Sequence, residues 1–416
     1  MSSWRTVRVA DLAAPGTNSM ATGPFGSSIS SKFFRTSGMP VIRGGNLSTD
    51  STVRLSDDDL VFLDPSKAAE FSRSTVRRGD LIFTCWGTIN QVGLIDESAG
   101  YDKYVISNKQ MKLTPDLSAV DSEFLYYLFS APRMQREILE GSIGSSIPGF
   151  NLTRLRSLEI DVPPLGEQKR IAQALSDTEG TEARIANLIA KKRAIKQGIM
   201  QQLLTGKTRL PGFNEPWREV TLGEVAQFSK GMGLPKSSLT PGGPVPCIHY
   251  GELFTHYGPE IASVTSRTND QSPRVRSTAL DVLMPTSDVT PRGLAKASSI
   301  LADGVALGGD ILVIRPAASH VFGPFLAHVV RLDANQVLQL VRGSTVFHLY
   351  AADMKTFRFT APAVAEQRAI CDALRDAECE LMSLQVRLAK ARDVKQGMMQ
   401  ELLTGRTRLP VKDGAA

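Results

Sequence analysis

The chain has 416 residues, a formal net charge of +6, 42% hydrophobic and 22% charged residues, and 34 Gly and 23 Pro spread along its length. These proportions exclude collagen-like, low-complexity and disordered chains, and no apolar run approaches the roughly 18 residues that a membrane helix needs. At roughly 100 to 200 residues per domain, the length predicts two or three domains.

The chain opens MSSWRTVRVADLAAPG, without the apolar core of a secretory signal, so the expected location is the cytoplasm, with no membrane partner. Up to Val162, short β-rich runs such as LIFTCW (Leu81 to Trp86) and LEIDVP (Leu158 to Pro163) alternate with Gly, Ser and Pro turns. DSEFLYYLFSAPRMQREIL (Asp121 to Leu139) carries a helical pattern. Residues 1–162 are therefore expected to form a mixed α/β domain. Trp86 ends an apolar run and reads as core, with stacking at a groove as the other reading.

The pattern changes at Pro163. Ile171, Leu175, Thr178, Glu182, Ile185, Ile189, Lys192, Lys196, Ile199 and Leu203 step by alternating four and three residues, the spacing of a coiled-coil seam. Glu167 lies near the helix start, where the dipole favours negative charge, and Gly206 follows LLT as a C-terminal cap. From Glu167 to Leu204 such a helix would span about 57 Å, roughly one and a half turns of B-DNA. Residues 212–361 return to β-rich runs such as DILVIRP (Asp310 to Pro316), and the helix pattern comes back after Pro362. There Ile370, Leu374, Ala377, Leu381, Leu384, Leu388, Ala391, Lys395, Met398 and Leu402 repeat the seam, ahead of a second cap at Gly405.

The return is a duplication. A shift of 199 aligns Pro163 to Pro211 with Pro362 to Pro410 without a gap and with 24 identities in 49 positions. A second echo, WRTVRVADLA from Trp4 against WREVTLGEVA from Trp217, needs a shift of 213. Both variable stretches place a Gly-Ser-Ser/Thr segment 19 residues before the helix proline, at Gly144 to Ser146 and Gly343 to Thr345, which predicts one fold for both. Four segments result: 1–162, 163–211, 212–361 and 362–416. Two helices in one register favour pairing with each other, and the near two-fold repeat can present two similar docking surfaces to two copies of a partner.

In PPLGEQKRIAQAL and PAVAEQRAICDAL, in KQGIMQQLLTGKTRLP and KQGMMQELLTGRTRLP, and in the WRxV openings, the chain resembles the DNA-specificity subunit of type I restriction-modification systems. The resemblance covers essentially the whole sequence; PAVAEQ departs from it in lacking the second proline. It implies two mixed α/β target-recognition domains, each reading half of a split site in double-stranded DNA, joined by two long helices in an antiparallel coiled coil that sets the spacing. It also implies two modification (methyltransferase) subunits, which would carry S-adenosylmethionine, and restriction (motor-nuclease) subunits as partners. No cofactor is expected on this chain, which would be a non-catalytic part of the complex.

Chemistry-bearing motifs are absent. There is no NPPY or DPPY, no GxxxxGK phosphate cradle, and GSSISSK (Gly26 to Lys32) lacks the second Gly and the GK ending of one. The five histidines and four cysteines fall at spacings that suit no metal, so reduced, structural thiols are expected. Expected DNA contacts are polar and basic loop residues: Ser27, Ser28, Ser30, Lys32, Arg35, Arg43 and Asn46 in the first variable domain, and Lys230, Lys236, Arg274, Arg276, Arg292 and Lys296 in the second. Each could equally be a solvated surface group, and Arg43 half-buried beside its strand. Two other functions stay open: a stand-alone methyltransferase or nuclease with atypical motifs, and a coiled-coil structural protein with no DNA role.

Overall fold

A computed structural model describes residues 4–24, 28–141, 149–271 and 275–409. The chain divides into two compact units, Met1–Asn187 with Val386–Ala416, and Leu188–Gln385. Both long helices run past these boundaries. Leu165–Leu203 and Val364–Leu402 have 39 residues each, so each begins in one unit and ends in the other.

In the first unit a four-stranded sheet has the order Met20–Thr22, Gln110–Leu113, Leu81–Thr84, Val92–Leu94. A five-stranded sheet runs Phe34–Arg35, Val61–Leu63, Met39–Ile42, Lys103–Ile106, Thr75–Arg77. In the second unit the main sheet has five strands, Ala226–Lys230, Ile311–Pro316, Val282–Pro285, Ser298–Ile300 and Glu260–Ile261.

The variable parts share a framework. Thr22 lies opposite Met111, and Lys230 opposite Leu312; Thr84 lies opposite Gln110, and Pro285 opposite Ile311. Loop bonds repeat too: Gly23 N donates to Gln110 O at 2.9 Å, and Gly231 N to Ile311 O at 2.8 Å. Gly144 to Ser146 lie outside the described residues. Arg5–Arg8 pairs with Glu159–Val162, and Arg218–Thr221 with Arg358–Ala361. Arg5 faces Val162 and Arg218 faces Ala361, so these two ladders are related by the same shifts, 213 and 199, as the sequence echoes.

Each core takes a helix segment from both copies. Ile171, Leu175, Met399, Leu402 and Leu403 pack with Phe124 and Phe129 in the first unit, and Leu203, Leu204, Ile370 and Leu374 pack with Phe325 in the second. A buried Leu or Phe contributes on the order of 2 kcal/mol, so neither unit is complete without its borrowed turns. Inside each unit the two segments run antiparallel: in the first, Glu167 meets Arg408 and Glu179 meets Lys395; in the second, Arg209 meets Glu366 and Lys192 meets Glu380. The seam positions of the second helix are all buried or half-buried. In the first helix only Ile199 departs, being exposed while Met200 is half-buried, as expected when a 3.6-residue turn drifts off a 3.5-residue repeat. Gly206 and Gly405 close the helices in the left-handed region at φ 68° and 70°.

Candidate nucleic-acid interface

The repeated motifs build one latch twice. Arg408 Nε and Nη2 each donate to a carboxylate oxygen of Glu167 at 2.6 Å, a bidentate pair on a fully buried acid. Arg209 grips Glu366 the same way, at 2.5 and 2.6 Å. Next to each Glu, a Gln fixes the helix start to its domain. Gln168 accepts from Asp121 N at 2.9 Å and donates to Pro163 O at 2.8 Å; Gln367 accepts from Phe322 N at 2.8 Å and donates to Pro362 O at 2.9 Å. The WRxV tryptophans cover the caps: a Cβ on Gly405 would stand 3.2 Å from the Trp4 ring, and one on Gly206 3.2 Å from the Trp217 ring. EQ, LLTG, TRLP and the tryptophan are thus parts of one joint.

Behind the first latch lies a charged cluster. Lys395 Nζ donates to Glu179 Oε1 at 2.6 Å and to Ser51 Oγ at 3.0 Å, Tyr127 donates to Glu179 Oε2 at 2.8 Å, and Arg54 donates to Tyr127 Oη at 2.8 Å. Beside it the buried Glu182 keeps one oxygen without a hydrogen bond, and burial pushes its carboxyl above the usual carboxylate range. The second unit repeats the lysine and acid as Lys196 and Glu378, but at a more exposed place. There the residue corresponding to Tyr127 is His328, whose imidazole is pushed by burial, with Lys196, Arg331 and Arg375 adding to the effect, from 6.5 down to about 4.

The variable surface of the first unit holds an open cleft of about 610 Å³. Ile29, Phe34, Arg43, Gly44, Gly45, Trp86, Gly87, Thr88, Asn108 and Lys109 are among its lining residues, two of them cationic, and among the described residues no carboxylate lines it. Of the expected contacts, Arg43 lies in this cleft, and Ile29 and Phe34 bring the segment carrying Ser28, Ser30, Lys32 and Arg35 to its edge. Arg43 is half-buried, as one reading allowed, and donates to Asp59 O at 2.9 Å. Ser28, Lys32 and Arg35 are exposed, with Lys32 Nζ 4.7 Å above the Phe33 ring and Arg35 bonded to the carbonyl of Phe34 at 3.0 Å; Ser30 is half-buried. Ser27 and Arg274 lie outside the described residues.

Two readings are corrected. Asn46 is not a surface reader: it is 2% exposed, accepts from Arg43 N at 2.9 Å, and donates to Ser56 O at 3.0 Å and Asp58 O at 2.9 Å, so its amide holds a loop instead of a base. Trp86, expected in the core, is 50% exposed. The strand Leu81–Thr84 has ended before it, and its six-membered ring rests on Gly149, where a Cβ would come within 2.6 Å.

The second unit scatters its candidates more widely. Lys230 pairs with Asp310 at 3.1 Å on the surface, and Lys236 and Arg292 are exposed. Arg276 is exposed and donates to Gly304 O at 2.7 Å, while Lys296 is half-buried and tied to Phe254 O at 2.5 Å. In the shared framework Ser287 takes the place of Trp86 and Asp310 that of Lys109. Among the described residues no group of His, Cys, Asp and Glu could hold a metal ion, and no helix is long and apolar enough to cross a membrane.

A family model described as the type I restriction modification DNA specificity domain matches residues 26–191 and again 214–386. A putative type I restriction enzyme MjaX specificity subunit of Methanocaldococcus jannaschii is 22% identical over 392 residues, covering 89% of this chain and 88% of that protein. The type I restriction enzyme EcoBI specificity subunit of Escherichia coli is 23% identical over 142 residues, 33% of this chain and 29% of that one. Among solved structures, the HsdS subunit from Thermoanaerobacter tengcongensis has a TM-score of 0.54 at 19% identity, covering 97% of both chains. The type I restriction-modification system S subunit from M. genitalium has a TM-score of 0.55 at 16% identity, covering 96% of both. At such identities the solved structures speak for the fold.

Proposed function

Since the chain belongs to the type I restriction modification DNA specificity family, whose model it matches twice, we propose that it is the sequence-reading, non-catalytic subunit of a type I restriction-modification complex. Residues 1–162 and 212–361 each read one half of a bipartite site in double-stranded DNA. The helices of 163–211 and 362–416 set the gap between the halves and carry the surface on which two modification subunits dock. Those subunits hold S-adenosylmethionine and methylate, restriction subunits join them, and the complex works in the cytoplasm. The observation that carries this reading is the double family match on two units with the same joints and unlike side chains at equivalent rim positions.

In this scheme exposed cations such as Lys32, Arg35 and Lys109 pair with phosphates and set the register, while side chains in the clefts meet base edges in the groove. Replacing residues 212–361 by the matching region of a relative, within the assembled complex, tests it. Methylome mapping should show one half-site changed and the other kept; loss or change of both halves in a folded, assembled hybrid would refute independent readers.

A further inference from the structure

Trp86 is a large apolar side chain that the fold leaves in water. Its ring is propped by the backbone at Gly149, which has no Cβ to push it away. The neighbouring rim is bare: at Gly45 and Gly87 an added Cβ would meet nothing within 4 Å, so another molecule can approach the backbone closely. The cleft beside it holds the cations Arg43 and Lys109 and, among the described residues, no acid, the charge pattern of a surface that receives a polyanion. At the same rim Asn108 is exposed, with a carboxamide that can both accept and donate.

In the major groove the apolar feature is the C5 methyl group of thymine, and its paired adenine offers the N7 acceptor and N6 donor that a carboxamide matches. We infer that Trp86 reads a thymine methyl group in the half-site of the first recognition domain, with Asn108 placed toward the paired adenine. The second unit, with Ser287 at the corresponding position, lacks this reader. The inference rests on the function proposed above and names one specificity residue within it.

The test uses the full-length chain co-expressed with its modification partner. Bound duplexes are selected from a random library, and each thymine of the selected site is then replaced by uracil, which removes only the methyl group. One replacement, in one half-site, should weaken binding by wild-type protein about fourfold, the size expected for one buried methyl group. Trp86→Ala should bind the thymine and uracil duplexes alike, and Trp86→Phe should keep part of the difference. Two results would overturn the inference while leaving the function intact: a bipartite site with no thymine sensitive to uracil, or a sensitivity that Trp86→Ala retains. Weaker binding of Trp86→Ala to every sequence alike, without that coupling, would do the same and would mark the ring as a general wedge. Selection of no sequence by wild-type protein would instead remove the recognition reading, and this inference with it.

Discussion

Glu167 and Glu366 have the same guanidinium partner, the same bonded Gln beside them and the same tryptophan over a glycine nearby, whereas Trp86 and Ser287, or Lys109 and Asp310, share a backbone position and nothing else. The difference separates what assembly demands from what recognition permits. A buried carboxylate needs its partner in each copy, so the joint tolerates no drift. A side chain at an open rim has at most an exposed partner, as Asp310 has in Lys230, and can change its chemistry at little cost in stability. Between these extremes lies the Lys–Glu pair: identical letters in both copies, sheathed by Arg54, Tyr127 and Ser51 in the first unit and more exposed in the second.

The equality of the two latches can be broken directly. Glu167→Ala and Glu366→Ala should each cost about 3 kcal/mol or more in chemical unfolding, and by similar amounts. Arg408→Ala should cost more than Glu167→Ala, because it leaves a buried carboxylate without its cation whereas the reverse change leaves a guanidinium that reaches water. Unequal losses for the two glutamates would show that only one copy of the joint holds its unit.

The contrast between Tyr127 and His328 predicts different acid behaviour. The unfolded chain takes up a proton on His328 near pH 6.5, which the folded protein refuses until about pH 4. The unfolded state therefore binds more protons in that window, and the second unit loses stability as pH falls through it, by about 2 to 3 kcal/mol. His328→Gln should remove that slope in unfolding measured from pH 7 to pH 4; a slope left unchanged would place its source elsewhere.

The smallest expected effect sharpens the seam comparison. Glu182 stands where the second helix has Leu381, so Glu182→Leu copies the second unit into the first. It should stabilise by about 1 kcal/mol at pH 7, since a buried charge gives way to an apolar side chain. Because the Glu182 carboxyl is held above its ordinary range, the charged form is the one penalised, and the gain should shrink as pH falls. A melting temperature that drops instead would mean that the carboxylate is needed beside Lys395 and Arg392.

Much of this architecture was legible in the residues. Periodicity marked both helices and their caps, and the two shifts of the self-alignment reappear as ladder registers between Arg5–Arg8 and Glu159–Val162 and between Arg218–Thr221 and Arg358–Ala361. What was not legible depends on distant partners. EQ and TRLP stood out as repeats, but nothing local says that the Arg of one copy holds the Glu of the other. The rim failed for a related reason. A loop Asn next to an Arg looks like a reader until the carbonyls of Ser56 and Asp58 take its amide, and a Trp after an apolar strand looks like core until the strand stops short of it. Only the positions of Trp86, Asn108 and Lys109, all just outside the strands Leu81–Thr84 and Gln110–Leu113, offered a signal.

The latch also fixes an order of events during synthesis. Arg209 is already made when Glu366 leaves the ribosome, so the second unit meets its partner as it emerges. Arg408 follows Glu167 by 241 residues, which at about 5 to 20 residues per second is a wait of roughly 10 to 50 s. During that interval Ile171, Leu175 and Phe124 lack the cover of Met399, Leu402 and Leu403, and Glu167 has no cation. The half of the molecule translated first is therefore the half that closes last, and it is the one exposed on the nascent chain to chaperones and proteases.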